Sequence, residues 1–360
     1  MLVMPEKKPI CTILHLSDLH LGADFSDVGG KNRSFLKGVA NQKAYLMQAH
    51  DDFLLMLLRM EINRIAAVNR ARFREGWPEG DISNGFDRIV VSGDISTDVT
   101  DDARFVFAHS FLTSKMPLPG GTYGQQASIG LGLPNNLLLC VPGNHDKMRE
   151  TTPARFNGSF SQSPQRCSYV RVLKRFGRAL VFIGMDSNAY SEGNIANGEM
   201  DQARLSWLSE VLNQMQTAGL SADQDRLSPD ECKEAIKCLV VHHHVCDLSI
   251  KKRYFNLGRS FTWMNGSERL LKLISGRIQV VLHGHEHYPT HFIEKESGAL
   301  IVSAGTTSQW QDKAGLNSFY SLTFYDNKSV QIEEFVWNGK GFTTRETLRG
   351  QSRPPMYDLH

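Results

Sequence analysis

Leu137-Leu138-Leu139-Cys140-Val141-Pro142-Gly143-Asn144-His145-Asp146 is the stretch on which the fold turns. Five apolar residues in a row fit a strand buried on both faces, as in a parallel sheet covered by helices. Pro142-Gly143 ends the run sharply. Asn144, His145 and Asp146 are therefore delivered to the carboxyl end of a strand, where open α/β sheets bind their ligands. Asp146 is expected either to orient His145 or to cap the turn that follows.

The same construction recurs along the chain. Ile10 to Leu16 runs into Asp18-Leu19-His20, and Phe86 to Ser92 into Gly93-Asp94. Ile236 to Val241 runs into His242-His243-His244, and Ile278 to Leu282 into His283-Gly284-His285-Glu286-His287. Leu180 to Met185 leads to Asp186-Ser187-Asn188. An extended backbone at Asp18 and His20 would put both side chains on one side.

Helical spacing of apolar residues marks Phe35 to Phe73, Gly198 to Gln216 and Leu270 to Ile274, and Asp101 to Ser114 also reads as a helix. Ser221 to Glu234 reads as a charged surface connection. From Thr290 onward short alternating segments read as a β-meander. Strands alternating with helices give a layered α/β architecture. Residues 1–345 are expected to form one domain and residues 346–360 a C-terminal tail, irregular from Arg349.

Composition excludes several classes. The chain has 360 residues, 41% hydrophobic and 22% charged, as in ordinary globular proteins. A net charge of +2 gives no strong nucleic-acid signal. Six cysteines without a CxxC pair argue against zinc fingers and a disulfide framework and suit a reducing compartment. No apolar run approaches a membrane span, so a soluble, cytoplasmic protein is expected. Oligomeric state is left open.

Collected, the strand ends offer Asp, His and Asn side chains, a donor set suited to Mn, Fe or Zn. There are more donors than one ion needs, and one carboxylate can bridge two ions about 3.5–4 Å apart, as in two-metal hydrolysis.

The ordered set Asp18-Leu19-His20, Gly93-Asp94, Gly143-Asn144-His145-Asp146, His243 within the His triplet and Gly284-His285-Glu286-His287 resembles the calcineurin-like metallophosphoesterase superfamily. The resemblance spans roughly Ile10 to Gly305. Met185-Asp186-Ser187 and Trp207-Leu208 are similar to its cyclic-nucleotide phosphodiesterase-like branch. It implies a four-layer α/β/β/α sandwich of two mixed sheets flanked by helices. It also implies two divalent ions, Mn favoured over Fe or Zn, with a hydroxide between them as nucleophile. Asp18, His20 and His287 would hold the first ion, Asp94 would bridge, and Asn144, His243 and His285 would hold the second. His145 would sit over the substrate phosphate, stabilising the transition state or protonating the leaving oxygen.

The fourth block leaves two alternatives. The family writes it His-His-Pro, and aligning Val245 with the Pro gives His243; counting from the end of the apolar run gives His242. His243 is taken as the ligand here. The implied substrate is a small diester such as a cyclic nucleotide. A nuclease, a broad phosphomonoesterase and a non-catalytic scaffold are the alternatives. Lys251, Lys252, Arg253, Tyr254, Phe255, Arg259, Phe261 and Trp263 combine charge with aromatic surface. They fit steering a phosphate and stacking a base, and equally a solvated basic loop.

Overall fold

The computed structural model describes residues 7–21, 52–72, 85–96, 102–114, 130–147, 156, 168–189, 197–222, 225–246, 264–308, 317–348 and 354–359. The basic, aromatic segment at 251–263 and the helix expected before residue 52 lie outside the described residues.

The first strands are β1 (Pro9–Leu16), β2 (Arg88–Val91), β3 (Leu138–Cys140), β4 (Tyr169–Arg175) and β5 (Arg178–Gly184). Short strands β6 (Gly198–Glu199), β7 (Leu220–Ala222) and β8 (Asp225–Leu227) follow. Then come β9 (Ile236–Val240), β10 (Met264–Asn265), β11 (Val280–His283), β12 (Thr290–Ile293) and β13 (Leu300–Ser303). The last are β14 (Ser318–Tyr325), β15 (Ser329–Trp337), β16 (Phe342–Thr344) and β17 (Met356–Asp358). The described helices are α1 (Asp52–Arg72), α2 (Asp102–Thr113), α3 (Gln202–Thr217), α4 (Pro229–Glu234), α5 (Ser267–Ile274) and α6 (Arg345–Leu348).

Two mixed sheets carry the fold. One has the order β16-β15-β14-β1-β2-β3, with β17 beside β15; the other has the order β12-β13-β11-β9-β5-β4. Strand alternation builds three hydrophobic layers from them. Cys11 and Ile13 of β1, Val90 of β2 and Leu139 of β3 meet Phe182, Cys238, Val240, Val280 and Leu282 from the second sheet. The opposite face of the first sheet presents Leu14, Leu16, Ile89, Val91 and Cys140 to Leu55, Leu58 and Ile62 of α1 and Phe111 of α2. The outer face of the second sheet presents Val181, Ile183, Leu239 and Val281 to Leu205, Leu208 and Leu212 of α3 and to Leu270 and Ile274 of α5. Helix, sheet, sheet, helix is the expected four-layer sandwich. Each buried Val, Leu or Ile contributes roughly 1.5–3 kcal/mol relative to exposure.

Registers bring the strand ends level. Leu16 pairs with Val91, and Val91 with Cys140, all in parallel. Across the second sheet Gly184 pairs with Val240, and Val240 with Leu282, also in parallel. The residues after each strand therefore emerge at one end of the sandwich.

Three sequence expectations change. The β-rich end is not one meander: β12 and β13 join the second sheet, β14 and β15 the first. Ser221 to Glu234 contains the β7–β8 hairpin and α4, started by Pro229 and a capping box in which Ser228 and Glu231 bond each other's backbone. The segment read as an irregular tail supplies β17, antiparallel to β15.

Candidate metal centre

Strand β1 stops at Leu16, and Asp18 and His20 are not extended: both sit at positive φ, 53° and 43°. Asp94, His285 and His287 share that conformation, so five of the seven non-glycine residues with positive φ among the described residues are candidate ligands. Such residues cost of order 1–3 kcal/mol each and persist where surrounding bonds over-determine them. Here Asp18 N donates to Gly93 O (3.0 Å) and His20 N to Asp94 O (2.9 Å). Thr306 Oγ1 donates to Asp18 O (2.8 Å), and Ser308 Oγ to Leu19 O. The motif glycines serve close approach. A Cβ on Gly143 would collide with the Asp94 carboxylate, and one on Gly284 with Ser17 and the Asp18 carboxylate.

The two carboxylates are used alike. Asp18 Oδ2 accepts His285 N (3.0 Å), and Asp94 Oδ1 accepts His145 N (2.8 Å). Each keeps its other oxygen for the centre. Asp18 Oδ1 lies 3.3 Å from His287 Nε2, which is 3.1 Å from His20 Nε2. Asp94 Oδ2 lies 4.0 Å from His20 Nε2 and 3.3 Å from His242 Nε2. His242 Nε2 is also 3.2 Å from Asn144 Oδ1 and 3.2 Å from His285 Nδ1. Two donor sets thus meet at Asp94: Asp18, His20 and His287 on one side, Asn144, His242 and His285 on the other.

Proton bookkeeping tests whether these sets fit cations. His242 Nδ1 lies 2.8 Å from Ser92 O, which only accepts, so that nitrogen carries a proton and Nε2 is the ring atom turned to Asp94 and Asn144. A ring nitrogen bonded to a backbone carbonyl is the usual support of a metal-ligating His. Burial holds His20 and His285 well below the ordinary imidazole value, keeping both neutral. Burial disfavours a charged His242, but Asp94 outweighs it and raises the ring to about 9. Burial likewise disfavours Asp94 as an anion, and His242 and His145 reverse that, holding its carboxyl well below the usual range. Converging carboxylate, amide and imidazole donors fit divalent ions, which would replace the proton between Asp94 and His242.

His243, the ligand taken from the sequence, is placed differently. Its Nδ1 lies 2.8 Å from Ser187 Oγ, and one of its ring nitrogens is within 4.8 Å of donor atoms of His242 and His285. His145 is buried, with its ring edge-on to His20 at 5.0 Å and a nitrogen within 4.8 Å of donors of His20 and Asp94. Asp146 accepts the amides of Gly143 (2.9 Å), Ser96 (2.9 Å) and Ile95 (3.1 Å), stitching the loop after β2 to the one after β3. Burial and the neighbouring Asp94 push it up to about 7.

Sequence reasoning missed Ser92, Thr306 and Ser308, and noted Ser187 only as part of a motif. Gly305-Thr306-Thr307-Ser308 follows the apolar β13 and offered the same strand-end signal. Nothing local marks Ser92, whose part is to expose a carbonyl.

Comparisons with known proteins give the family and the fold. The family model of calcineurin-like phosphoesterases matches residues 11–289. No curated protein sequence matches the chain. The fold is similar to that of a dimetal phosphatase from Danio rerio, at 13% identity and TM-score 0.53, covering 94% of this chain and 99% of that one. It is also similar to GAP50, the anchor in the inner membrane complex of Plasmodium, at 12% identity and TM-score 0.50, covering 98% and 89%. Among the described residues no helix is long and apolar enough to cross a membrane. The chain belongs to the calcineurin-like phosphoesterases, metal-dependent hydrolases of phosphoesters.

Proposed function

We propose that this protein is a two-ion phosphodiesterase acting on a small diester, with 3′,5′-cyclic nucleotides the first substrates to test. The observation that carries the reading is the pair of donor sets joined at Asp94 Oδ2. Asp18, His20 and His287 would hold one ion and Asn144, His242 and His285 the other, with Asp94 shared. His242 replaces His243 in this assignment because its Nε2, the nitrogen turned away from Ser92 O, faces Asp94 and Asn144. When bound, divalent ions lower the pKa of water and neutralise phosphoryl oxygens; the donor set suits Mn, and Fe or Zn next.

The chain's own residues do the remainder. Asp94 fixes the His145 backbone through its amide, so the imidazole stands beside the centre to stabilise charge on the phosphoryl group or to protonate the leaving oxygen. Asp146 keeps the loops bearing Asp94 and His145 in register. The chain acts as one domain in this reading, which β17 carries past residue 345. A non-catalytic scaffold is disfavoured because every motif block keeps its ligand residue and His145 is present.

The test is metal analysis after Mn loading, with hydrolysis of an aryl monoester, an aryl diester and 3′,5′-cyclic nucleotides. Two ions per chain with preference for diesters is the expected result. Fewer than one ion and no hydrolysis of any ester would overturn the reading, and preference for the monoester would overturn the diester part.

A further inference from the structure

Ser187 and His243 form a hydrogen-bonded unit with a defined proton count. Ser187 Oγ lies 3.2 Å from His242 N, 3.1 Å from His243 N and 2.8 Å from His243 Nδ1. A hydroxyl has one proton and two lone pairs. The two backbone amides can only donate, so they occupy both lone pairs. The hydroxyl proton then goes to His243 Nδ1, and the neutral ring carries its own proton on Nε2. That N–H cannot ligate a cation. It is fully buried and meets no hydrogen-bond partner among the described residues. The ring packs 4.4 Å from that of His285 and 4.9 Å from that of His242. Gly198 leaves room for it: a Cβ there would strike the His243 ring.

We infer that His243 is a fixed N–H donor to a phosphoryl oxygen of the substrate, beside the ligands of the second ion, and that Ser187 is its positioning residue. The assignment rests on the two-ion reading above. An unpartnered buried donor costs stability in the free protein, and a phosphate oxygen would satisfy it. Ser187 sets both the direction and the tautomer of the donor, and the same hydroxyl holds the backbone of His242. One oxygen thereby ties a metal ligand and a substrate contact together.

The test uses the full chain. In the metal-free protein, long-range proton–nitrogen correlation should show His243 with a protonated Nε2 and an unprotonated Nδ1. Ser187→Thr should keep that tautomer and Ser187→Ala should lose it. In the Zn-loaded protein, His243→Ala should retain the wild-type ion count while binding inorganic phosphate at least about tenfold more weakly by calorimetry. Its turnover should fall about 10²-fold, the effect of losing one donor to developing charge. His243→Gln keeps an N–H donor and should recover part of the phosphate affinity, which separates the contact from a folding defect. A protonated Nδ1, loss of an ion in His243→Ala, or unchanged phosphate affinity would each overturn the assignment. The wild-type ion count tests the two-ion reading separately: fewer than one ion per chain overturns both, whereas two ions with a failed His243 result overturns this inference alone.

Discussion

Two buried polar clusters link the sheets, and they differ in whether they close on themselves. At the start of β2, Asp87 Oδ1 meets Arg175 of β4 at 2.6 Å while Asp87 Oδ2 accepts Thr12 N of β1 at 2.7 Å. Both carboxylate oxygens have donors, and the pair is shielded, the side chains 2% and 9% exposed. Burial still pushes Asp87 up to about 6, with Arg175 pulling the other way. At the opposite strand ends, Asp18 and Asp94 each give one oxygen to an amide and turn the other toward imidazole nitrogens. One cluster balances its donors and acceptors internally. The other turns carboxylate, amide and imidazole groups on one spot, where the proton shared by Asp94 and His242 stands in the place a cation would take. Burial and charge alone do not separate a structural site from a functional one; the proton and lone-pair count does.

The largest effect should come from Asp94→Ala, which removes the group common to both donor sets. Both ions should be lost and hydrolysis should fall to background, read by metal analysis and diester assays; retention of two ions would break the comparison. Next is His145→Ala, expected to lower turnover about 10²–10³-fold with the ion count unchanged. Loss of an ion would make His145 a ligand.

Arg175→Met addresses the self-contained cluster. It leaves Asp87 buried without its cation, which should cost about 3–5 kcal/mol in urea unfolding while metal content and turnover per folded chain stay at wild-type values. The double variant Asp87→Leu with Arg175→Met should recover most of that stability. Reduced metal content in either would mean that the two ends are coupled. The smallest effect is expected from Thr306→Val, which removes the hydroxyl holding Asp18 O. Outer contacts of this kind typically change metal affinity 10–100-fold. Competition titration with a chelator should show the first ion weakened and the second unaffected.

The strands were legible because their faces are buried on both sides, so β1, β2, β3, β5, β9 and β11 appear as apolar runs. Their ends were legible as candidate ligand positions, because the polar residues there follow directly on the apolar runs. What sequence could not give was set by distant partners. Asp18 and His20 leave the extended conformation because Gly93 O and Asp94 O take their amides. The choice between His242 and His243 depends on Ser92 O and Ser187 Oγ, which are 150 and 56 residues away along the chain. Strand β17 is three residues long, and only its pairing with β15 defines it.

The most direct measurement is anomalous diffraction from crystals of the full chain grown with Mn. Two peaks are expected about 3.5–4 Å apart, flanking Asp94. One should contact Asp18, His20 and His287, the other Asn144, His242 and His285, with His243 touching neither. A single peak, no peak, or a peak ligated by His243 in place of His242 would contradict it.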